Sequence, residues 1–345
     1  ESVEVMRQAK MLGIPYSREY GGAGADYLCY ILAIEELSKT CATSGVVLSA
    51  HTSLGTWPIA QFGTEEQKQR FLTDLCTGKK LAAFGLTEPN AGTDASGQQT
   101  KAVLDGDEYV LNGSKIFITN GKEADVYIII AVTGIVEKRG RKMKEISAFI
   151  VEKDTPGFTF GTKEKKMGIR GSSTYELIFE DCRIPKENLL GKQGKGFGIA
   201  MHTLDGGRIG IASQALGLAE GALERTIEYV KERKQFGRTI GQFQNTRFVL
   251  AQAKIDELAT AAFYNQNVEL YMQGKLDVET AAALKSFATD MQMKIADQLL
   301  QLFGGYGYMT EYPISRFFVD ARIQRIYGGT NEIMKEIVAR GLLGR

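Results

Sequence analysis

The second half of the chain has almost no residue that would interrupt a helix. After Pro185 the one remaining proline is Pro313, although the sequence continues to residue 345. Proline in a helix interior removes a hydrogen bond and clashes with the preceding turn, so proline-free stretches with apolar residues at helical spacing favour long helices. We therefore predict a bundle of three or four helices. The segments are residues 210–233, 242–273, 278–303 and 331–343.

The middle of the chain has a different texture. Short runs rich in β-branched and aromatic residues, such as 126–132 and 146–151, alternate with turn residues. Asn112-Gly113 and Asn120-Gly121 are dipeptides typical of tight turns between antiparallel strands. The charged residues from 137 to 145 fall between two strand-like runs, which predicts a solvated hairpin loop.

Before residue 80 apolar residues again recur at helical spacing, with breaks expected at Gly21-Gly22 and at residues 55–58. The predicted fold class is thus α+β. It has an N-terminal helical domain (1–80), a middle antiparallel β domain (81–190) and a C-terminal four-helix bundle (191–345).

Charge and composition exclude several classes of protein. The 42 basic side chains are balanced by 41 acidic ones, so the sequence gives no sign of a surface for nucleic acid. No run approaches the roughly 20 apolar residues needed to span a bilayer, so no membrane span is predicted. The four cysteines are scattered without a CxxC pair, which predicts reduced thiols, no metal site and a reducing compartment.

Two short runs in the middle of the chain could carry binding chemistry. Residues 84–94 read FGLTEPNAGTD, a turn of small and hydroxyl residues whose N–H groups could bind a polar heterocycle or a phosphate. The same run could simply cap a helix. Residues 115–121 read KIFITNG, where Phe117 and Thr119 would share one face of a strand and could stack on a ring and donate a hydrogen bond to it. An ordinary strand ending in a turn is the alternative.

Three further runs lie in the predicted bundle. RKQFG at 233–237 has Arg233 at a helix end, where it could pair with a phosphate or play a structural role only. FGGYGY at 303–308 allows a backbone to approach a ligand closely, or stops a helix. YGGTNEI at 327–333 leads into the last helix, with Thr330 or Asn331 as its N-cap.

These five runs, in this order and on this plan, resemble the acyl-CoA dehydrogenase family, and within it the short-chain or butyryl-CoA type. The resemblance extends from Glu1 to Arg345. Members of the family usually have further helical residues before the point where this sequence starts. The resemblance implies an FAD-dependent oxidoreductase that desaturates an acyl-CoA thioester and passes electrons to an electron-transfer flavoprotein. It also implies a homo-oligomer, commonly a tetramer, in the bacterial cytoplasm or the mitochondrial matrix.

The resemblance also implies binding residues. Part of the FAD site would come from the bundle of a neighbouring subunit. The CoA portion would meet a serine, an aspartate and a helical arginine. The implied FAD-binding residues are Phe84, Leu86, Thr87, Thr93, Phe117, Thr119, Arg233, Phe236, Gln301, Gly305, Thr330 and Glu332, and the implied substrate-binding residues are Thr93, Ser172, Asp205 and Arg208.

The sequence departs from the family at its catalytic base. Most members carry a glutamate where this chain has Gly328, and a second group carries it just before the helical arginine, where this chain has Gly207. The base in this family removes the α-proton of the thioester, while the flavin ribityl hydroxyl and a backbone N–H polarise the carbonyl. That N–H, here of Gly328, survives because it belongs to the main chain. We expect open space beside Gly328.

Three explanations for the missing glutamates stay open. A different residue could be the base, with His51 as the candidate and Asp205 and Asp94 as weaker ones; a buried structural role for His51 is the alternative. The reaction could be of the lyase or desulfinase type, which expels a β-substituent and needs no α-proton abstraction. Or the base is lost, by nature or by engineering, leaving a silent protein that binds FAD and CoA.

Overall fold

The computed structural model describes residues 2–138 and 140–344, so Glu1, Arg139 and Arg345 lie outside it. Its Cα arrangement divides into two compact units. The first contains the described residues of Glu1–Tyr30, Val47–Lys165 and Gly171–Gly207, and the second those of Ile31–Val46, Lys166–Arg170 and Arg208–Arg345.

The N-terminal part is helical, as predicted. A π-helical segment, Ala50–Thr56, joins two of its helices, so the break predicted at residues 55–58 is wrong. The helix continues because Pro58 stands at the start of the following helix, where a missing N–H costs little. Gly55 also has no room for a side chain, since a Cβ there would lie 2.4 Å from Ala82 Cβ. The helices are α1 Ser2–Gln8, α2 Tyr27–Thr40, α3 Ala42–Ser49, α4 Trp57–Phe62 and α5 Glu65–Cys76.

The middle part forms an eight-stranded sheet with the order β6-β7-β3-β2-β4-β5-β8, and β1 pairs with β4. Most neighbours are antiparallel, as predicted, but β1–β4 and β2–β4 are parallel. Buried side chains of α4, α5, β4 and β5 form the core of this unit, including Ile59, Phe71, Ile128 and Ile150. The strands are β1 Ala82–Gly85, β2 Lys101–Asp105, β3 Glu108–Thr119, β4 Val126–Lys138, β5 Arg141–Glu152, β6 Phe158–Lys163, β7 Thr174–Pro185 and β8 Leu189–Leu190.

Two turn predictions in the sheet are wrong. Asn112-Gly113 lies inside β3, where the register with β7 shifts and Gly113 has φ 141°. A Cβ on Gly113 would lie 2.6 Å from Thr100 Oγ1, so the glycine serves a bulge and a close approach instead of a hairpin. The predicted loop at 137–145 is largely strand, because β4 and β5 stay paired out to Lys138 and Arg141. Arg139 lies outside the described residues.

The remainder is helical, as predicted, and its first helix begins earlier than expected. The helix starts at Gly196. A Cβ at this residue would lie 2.1 Å from the Ser147 carbonyl carbon, so only glycine fits there. In the second unit, α2 packs against this helix at Gly217 and Gly221, where a Cβ would meet the carbonyls of Glu35 and Lys39 at 2.2 and 2.0 Å. The helices are α6 Gly196–Glu232, α7 Gln244–Met272, α8 Val278–Leu302, α9 Pro313–Ala321 and α10 Asn331–Leu343, and a small hairpin is formed by β9 Lys234–Gln235 and β10 Arg238–Thr239.

Candidate functional site

In the first unit an exposed aromatic side chain stands on strained backbone. Phe117 is 60% exposed and has φ 59°, a left-handed conformation that a bulky L-residue adopts only under constraint. It lies where the β3–β7 register shifts between Lys115 and Ile118. Thr119 follows, half-buried and paired with Thr174 of β7. Strain of this kind collects at ligand sites, so an apolar ring left in solvent here marks a binding surface.

A buried ion pair fixes the loop at residues 84–94 to β3. Lys115 Nζ donates to Glu88 Oε1 at 2.7 Å, to Leu86 O at 3.1 Å and to Gln98 Oε1 at 3.0 Å. Glu88 also accepts from the backbone N–H of Gln99 and Thr100 at 2.5 and 3.0 Å. The buried pair of Lys115 and Glu88 thus fixes the loop on its buried side, and neither residue was predicted as a site residue.

Burial raises the pKa of Glu88, but Lys115 and the hydrogen bonds more than offset it, so the pKa stays below its usual range. Burial lowers the pKa of Lys115 to about 8, against the opposing effect of Glu88. The pair is therefore ionised at neutral pH. Leu111 and Ile118 are the nearest buried positions of β3 on either side of Lys115, and a lysine between these two apolar residues was the signal in the sequence that could have found it.

The structure places the other predicted residues of this unit at different depths. Leu86 and Ser172 are buried, Phe84, Thr87 and Asp205 are half-buried, and Thr93 is exposed. Asn120 N donates to Ser173 O at 3.0 Å, which ties the end of β3 to the segment that contains Ser172. Thr87 O accepts from Ile116 N at 2.9 Å, which places the 84–94 loop directly beside the strand that carries Phe117.

His51 is held by the backbone on both sides of its ring. It is fully buried in the π-helical segment; Nδ1 accepts from Ala82 N, and Nε2 lies 3.1 Å from Leu75 O, both contacts being 3.1 Å long. Burial lowers the pKa of His51 to about 4. Because both nitrogens are occupied, the geometry favours the structural role that the sequence left open.

In the second unit a cavity of about 610 Å³ brings together three of the residues that the resemblance implies, Arg233, Gln301 and Gly305. The Arg233 guanidinium lies 5.2 Å from the centroid of the Tyr306 ring. A Cβ on Gly305 would meet no atom within 4 Å, so nothing in this chain itself requires a glycine there. An open glycine beside an arginine is suited to the close approach of a phosphate-bearing ligand.

Phe236 is a second exposed phenylalanine on left-handed backbone, with φ 53° and 92% exposure. It does not line the cavity of Arg233, although only two residues separate it from that arginine in sequence. At the start of α10, Thr330 is the N-cap and accepts from Ile333 N at 3.4 Å. Hydrogen bonds from its own backbone N–H and from Thr330 keep the pKa of Glu332 below its usual range.

Gly328 lies in a turn of two glycines that both have left-handed backbone, φ 64° for Gly328 and 94° for Gly329. A Cβ on Gly328 would lie 2.4 Å from Ile211 Cδ1, so the expected open space is wrong in that direction because α6 fills it. At Gly207, by contrast, a Cβ would meet only Leu54 Cδ2 at 3.4 Å. Arg208 is buried.

The described residues give no sign of other chemistry. In the ranges 2–138 and 140–344, no three His, Cys, Asp or Glu side chains lie together as metal ligands would. None of the helices in this part of the chain has both the length and the apolar run that crossing a bilayer takes.

Comparisons with known proteins agree with this arrangement. Family profiles described as "Acyl-CoA dehydrogenase" match residues 1–79 (N-terminal domain), 83–182 (middle domain) and 194–343 (C-terminal domain). The chain is 52% identical over 339 residues to a short-chain specific acyl-CoA dehydrogenase of Clostridium acetobutylicum, covering 98% of this chain and 88% of the relative.

Solved structures are similarly close. A chain in a structure described as "Electron transferring flavoprotein of Acidaminococcus fermentans: Towards a mechanism of flavin-based electron bifurcation" has a TM-score of 0.94 and 52% identity, over 99% of this chain and 89% of that one. An acyl-CoA dehydrogenase from Bacillus anthracis, complexed with FAD, has a TM-score of 0.93 and 38% identity, over 99% of this chain and 62% of that one.

Proposed function

This chain belongs to the acyl-CoA dehydrogenase family, and we propose that it desaturates a short-chain or cyclic acyl-CoA with a base other than residue 328. Its cofactor is FAD, which is also present in the Bacillus anthracis structure. When bound, FAD accepts the hydride from the acyl β-carbon. The residues that would hold it are Phe117, Thr119 and the 84–94 loop of one subunit, and the Arg233 cavity with Phe236, Thr330 and Glu332 of a neighbouring subunit.

Within this reaction the chain has two tasks. The Gly328 N–H donates to the thioester carbonyl oxygen as negative charge develops on it, which makes the α-proton easier to remove. A base takes that proton, and the electron pair left on the α-carbon forms the double bond as the β-hydride departs. Ser172, Asp205 and Arg208 are proposed to bind the CoA portion. Electrons leave to an electron-transfer flavoprotein, and the subunits form a homotetramer.

The backbone of Gly328 carries the proposal of a non-standard base. Its φ of 64° lies in the left-handed region, which glutamate rarely adopts, so the turn favours glycine at this position. Ile211 Cδ1 also stands 2.4 Å from the Cβ position and would have to rotate to admit a side chain. A glutamate there would adopt left-handed backbone and displace Ile211, at a cost of about 1–3 kcal/mol.

Exchange of the acyl α-proton with solvent tests for a base directly. We would incubate the FAD-loaded protein with butyryl-CoA or cyclohexanecarbonyl-CoA in D₂O and follow deuterium at the α-carbon by mass spectrometry, beside the flavin absorbance. Exchange and bleaching with one of these thioesters are expected. Bleaching with neither, although FAD is bound, would contradict the proposed desaturation.

A silent protein that binds FAD and CoA is the second candidate, favoured by glycine at both 207 and 328 and by the backbone contacts of His51. Gly207→Glu distinguishes the two, since its Cβ has room and glutamate is favoured over glycine in a helix by about 0.5–1 kcal/mol. If a base is already present, the variant changes the exchange rate by a few-fold. If the base is lost, the rate rises by about 10²–10⁴-fold. Gly207→Gln is the matched control.

A further inference from the structure

The two glycines of the Gly328–Gly329 turn are joined to the rest of the second unit by hydrogen bonds on either side. Before the turn, the Tyr327 hydroxyl donates to Gln214 Oε1, and Gln214 Nε2 donates to Ala42 O at 2.9 Å. After the turn, Lys285 Nζ donates to Gly329 O at 2.7 Å and to Asn331 Oδ1 at 2.9 Å. Glycine has wide conformational freedom, so these bonds decide which way the turn faces.

Lys285 is an unusual residue for this task. It is 0% exposed, on the buried face of α8 with Ala281, Ala282 and Ala288. A buried ammonium normally has a carboxylate partner, since desolvation of a charge is costly. Both hydrogen bonds that the structure gives Lys285 Nζ go to neutral oxygens, those of Gly329 and Asn331. Because burying the ammonium of Lys285 is costly, we expect this residue to have a role beyond packing.

Two guanidinium groups and two carboxylates surround Lys285. Burial, and then the Arg208 guanidinium of α6, lower the pKa of Lys285 to about 8, and Arg325 acts in the same direction. Asp290 of α8 and Glu332 of α10 oppose them. The pKa of Lys285 thus falls between pH 7 and pH 9.2, so its charge changes over that range.

Asn331 extends the hydrogen-bond network of Lys285 to the start of α10. It is 1% exposed, and its Nδ2 donates to Thr289 Oγ1 and Asp290 Oδ1, each at 3.0 Å. Its Oδ1 accepts from Lys285 and, at 3.2 Å, from the Thr289 hydroxyl. Without the ammonium, Gly329 O would lose a buried charge-assisted donor, and the turn would lose its contact with α8.

We propose that Lys285 is a positioning residue, which holds the Gly328–Gly329 turn against α8 so that the Gly328 N–H keeps the direction a thioester carbonyl needs. The inference rests on the proposed function, in which that N–H is the oxyanion donor. In addition, the positive charge of Lys285 favours the negative charge that develops on the carbonyl oxygen. With glycine at 328, no carboxylate at that position neutralises this effect. When the ammonium loses its proton, the electrostatic contribution disappears and the two hydrogen bonds weaken, because they are no longer charge-assisted.

The test compares two ligands that differ only at the carbonyl. Butyryl-CoA has the thioester oxygen, and S-butyl-CoA, a thioether, lacks it. Binding of each to the FAD-loaded protein, with the flavin reduced beforehand so that it cannot accept a hydride from the thioester, is measured by isothermal titration calorimetry at pH 7 and pH 9.2, and the ratio of the two dissociation constants is the readout. Effects on the CoA phosphates cancel in the ratio.

At pH 7 the wild type should prefer the thioester, and Lys285→Met should reduce that preference by about 10-fold, the value of one hydrogen bond of about 1.4 kcal/mol. The wild-type preference should also fall at pH 9.2, by a smaller factor, because the neutral amine keeps weaker hydrogen bonds to the turn. Lys285→Arg keeps its charge at both values and should show no such fall. The control is Lys294→Met, which removes a half-exposed lysine of the same helix that pairs with Asp256.

Two results would overturn the inference alone. One is an unchanged ratio in Lys285→Met together with a flat wild-type pH profile, and the other is an equal loss of affinity for both ligands, the mark of a merely structural lysine. If Lys285→Met does not fold, the wild-type and Lys285→Arg profiles decide. A wild type that binds neither ligand would overturn the proposed function and this inference with it.

Discussion

His51 has a side chain suited to acid–base catalysis, but its contacts give it a structural role instead. Its two ring nitrogens are occupied by the backbone of Leu75 and Ala82, and it is fully buried. A neutral imidazole can satisfy one donor and one acceptor in this way, whereas an imidazolium would present a second N–H to Ala82 N, which is itself a donor.

The stability of the protein should therefore depend on pH through His51. Burial lowers its pKa to about 4 from an unfolded value near 6.5, so the unfolded chain takes up the proton first as the pH falls. This stabilisation is complete above pH 6.5 and is lost on the way to pH 4, by about 3 kcal/mol. The measurement is urea unfolding at several pH values for wild type and His51→Gln.

The pH slope of His51→Gln should be shallower than that of wild type over this range. His202→Gln, which changes an exposed histidine, is the control and should keep the wild-type slope. Parallel curves for wild type and His51→Gln would contradict a buried neutral His51. The same variant should leave α-proton exchange intact, and a loss of exchange in a folded His51→Gln protein would make His51 the base after all.

At single residues the sequence indicated which groups could bind or react, but not how closely other side chains pack around them. The glycines at 207 and 328 were visible as departures from a motif, but Ile211 beside Gly328 was not, since their proximity depends on how α6 packs. Lys285 and Lys115 were missed although their positions on apolar faces were legible, because a lysine on such a face usually extends its charge to solvent. Only the packed structure shows that both are buried.

Helices with a long apolar periodicity were predicted well. Elements whose course depends on a glycine were predicted less well. The helices α7, α8 and α10 lie within a residue or two of the predicted segments. Asn112-Gly113 was misassigned because the same dipeptide can turn a hairpin or form a bulge, and the choice depends on Thr100 and on the partner strand. The π-helical segment at Ala50–Thr56 has no sequence signal that distinguishes it from α-helix.

The loop at 84–94 should depend on Lys115 for its stability. Lys115→Met would leave the Glu88 carboxylate buried without its cation, which typically costs about 3–5 kcal/mol. Adding Glu88→Gln should recover part of that loss, because the unpaired charge is removed. Urea unfolding and FAD affinity are the measurements, and both should decrease in the single variant, since the loop is proposed to contact the flavin.

Lys144→Met is the matched control for this loop. Lys144 donates to Gly97 O and Gln98 O at 2.8 and 2.7 Å, so it too joins the segment after the loop, but from an exposed position. Its removal should cost about 1 kcal/mol or less. Equal losses for Lys115→Met and Lys144→Met would show that the buried pair has no special part in holding the loop.

At the scale of the whole molecule, the pattern of apolar and turn residues alone predicted the order of helical and β regions. It did not predict the order of the strands in the sheet. The pairings β1–β4 and β2–β4 are parallel and join strands far apart in sequence. No local pattern encodes such pairs. Of the residues that the resemblance implies for FAD, Arg233, Gln301 and Gly305 share one cavity.

The exposed apolar residues of the second unit argue that the chain is part of an assembly. Phe248, Ile255 and Leu258 are 62%, 59% and 56% exposed, and their spacing of seven and three places them on one face of α7. Apolar stripes of this kind mark interfaces between proteins. Phe236, at 92% exposure on strained backbone, is the residue of the FAD motifs most in need of a partner.

We expect a homotetramer in which Phe236 and Arg233 of one subunit contribute to the FAD site of another. Leu258→Glu should then reduce the mass measured by analytical ultracentrifugation and release FAD, because it disturbs the assembly. Phe236→Ser should release FAD at unchanged mass, because it changes the ligand contact alone. Val5→Glu, at a residue of α1 that is 60% exposed, should change neither. A wild-type monomer that binds FAD stoichiometrically would rule out a shared site, since each chain would then hold the cofactor unaided.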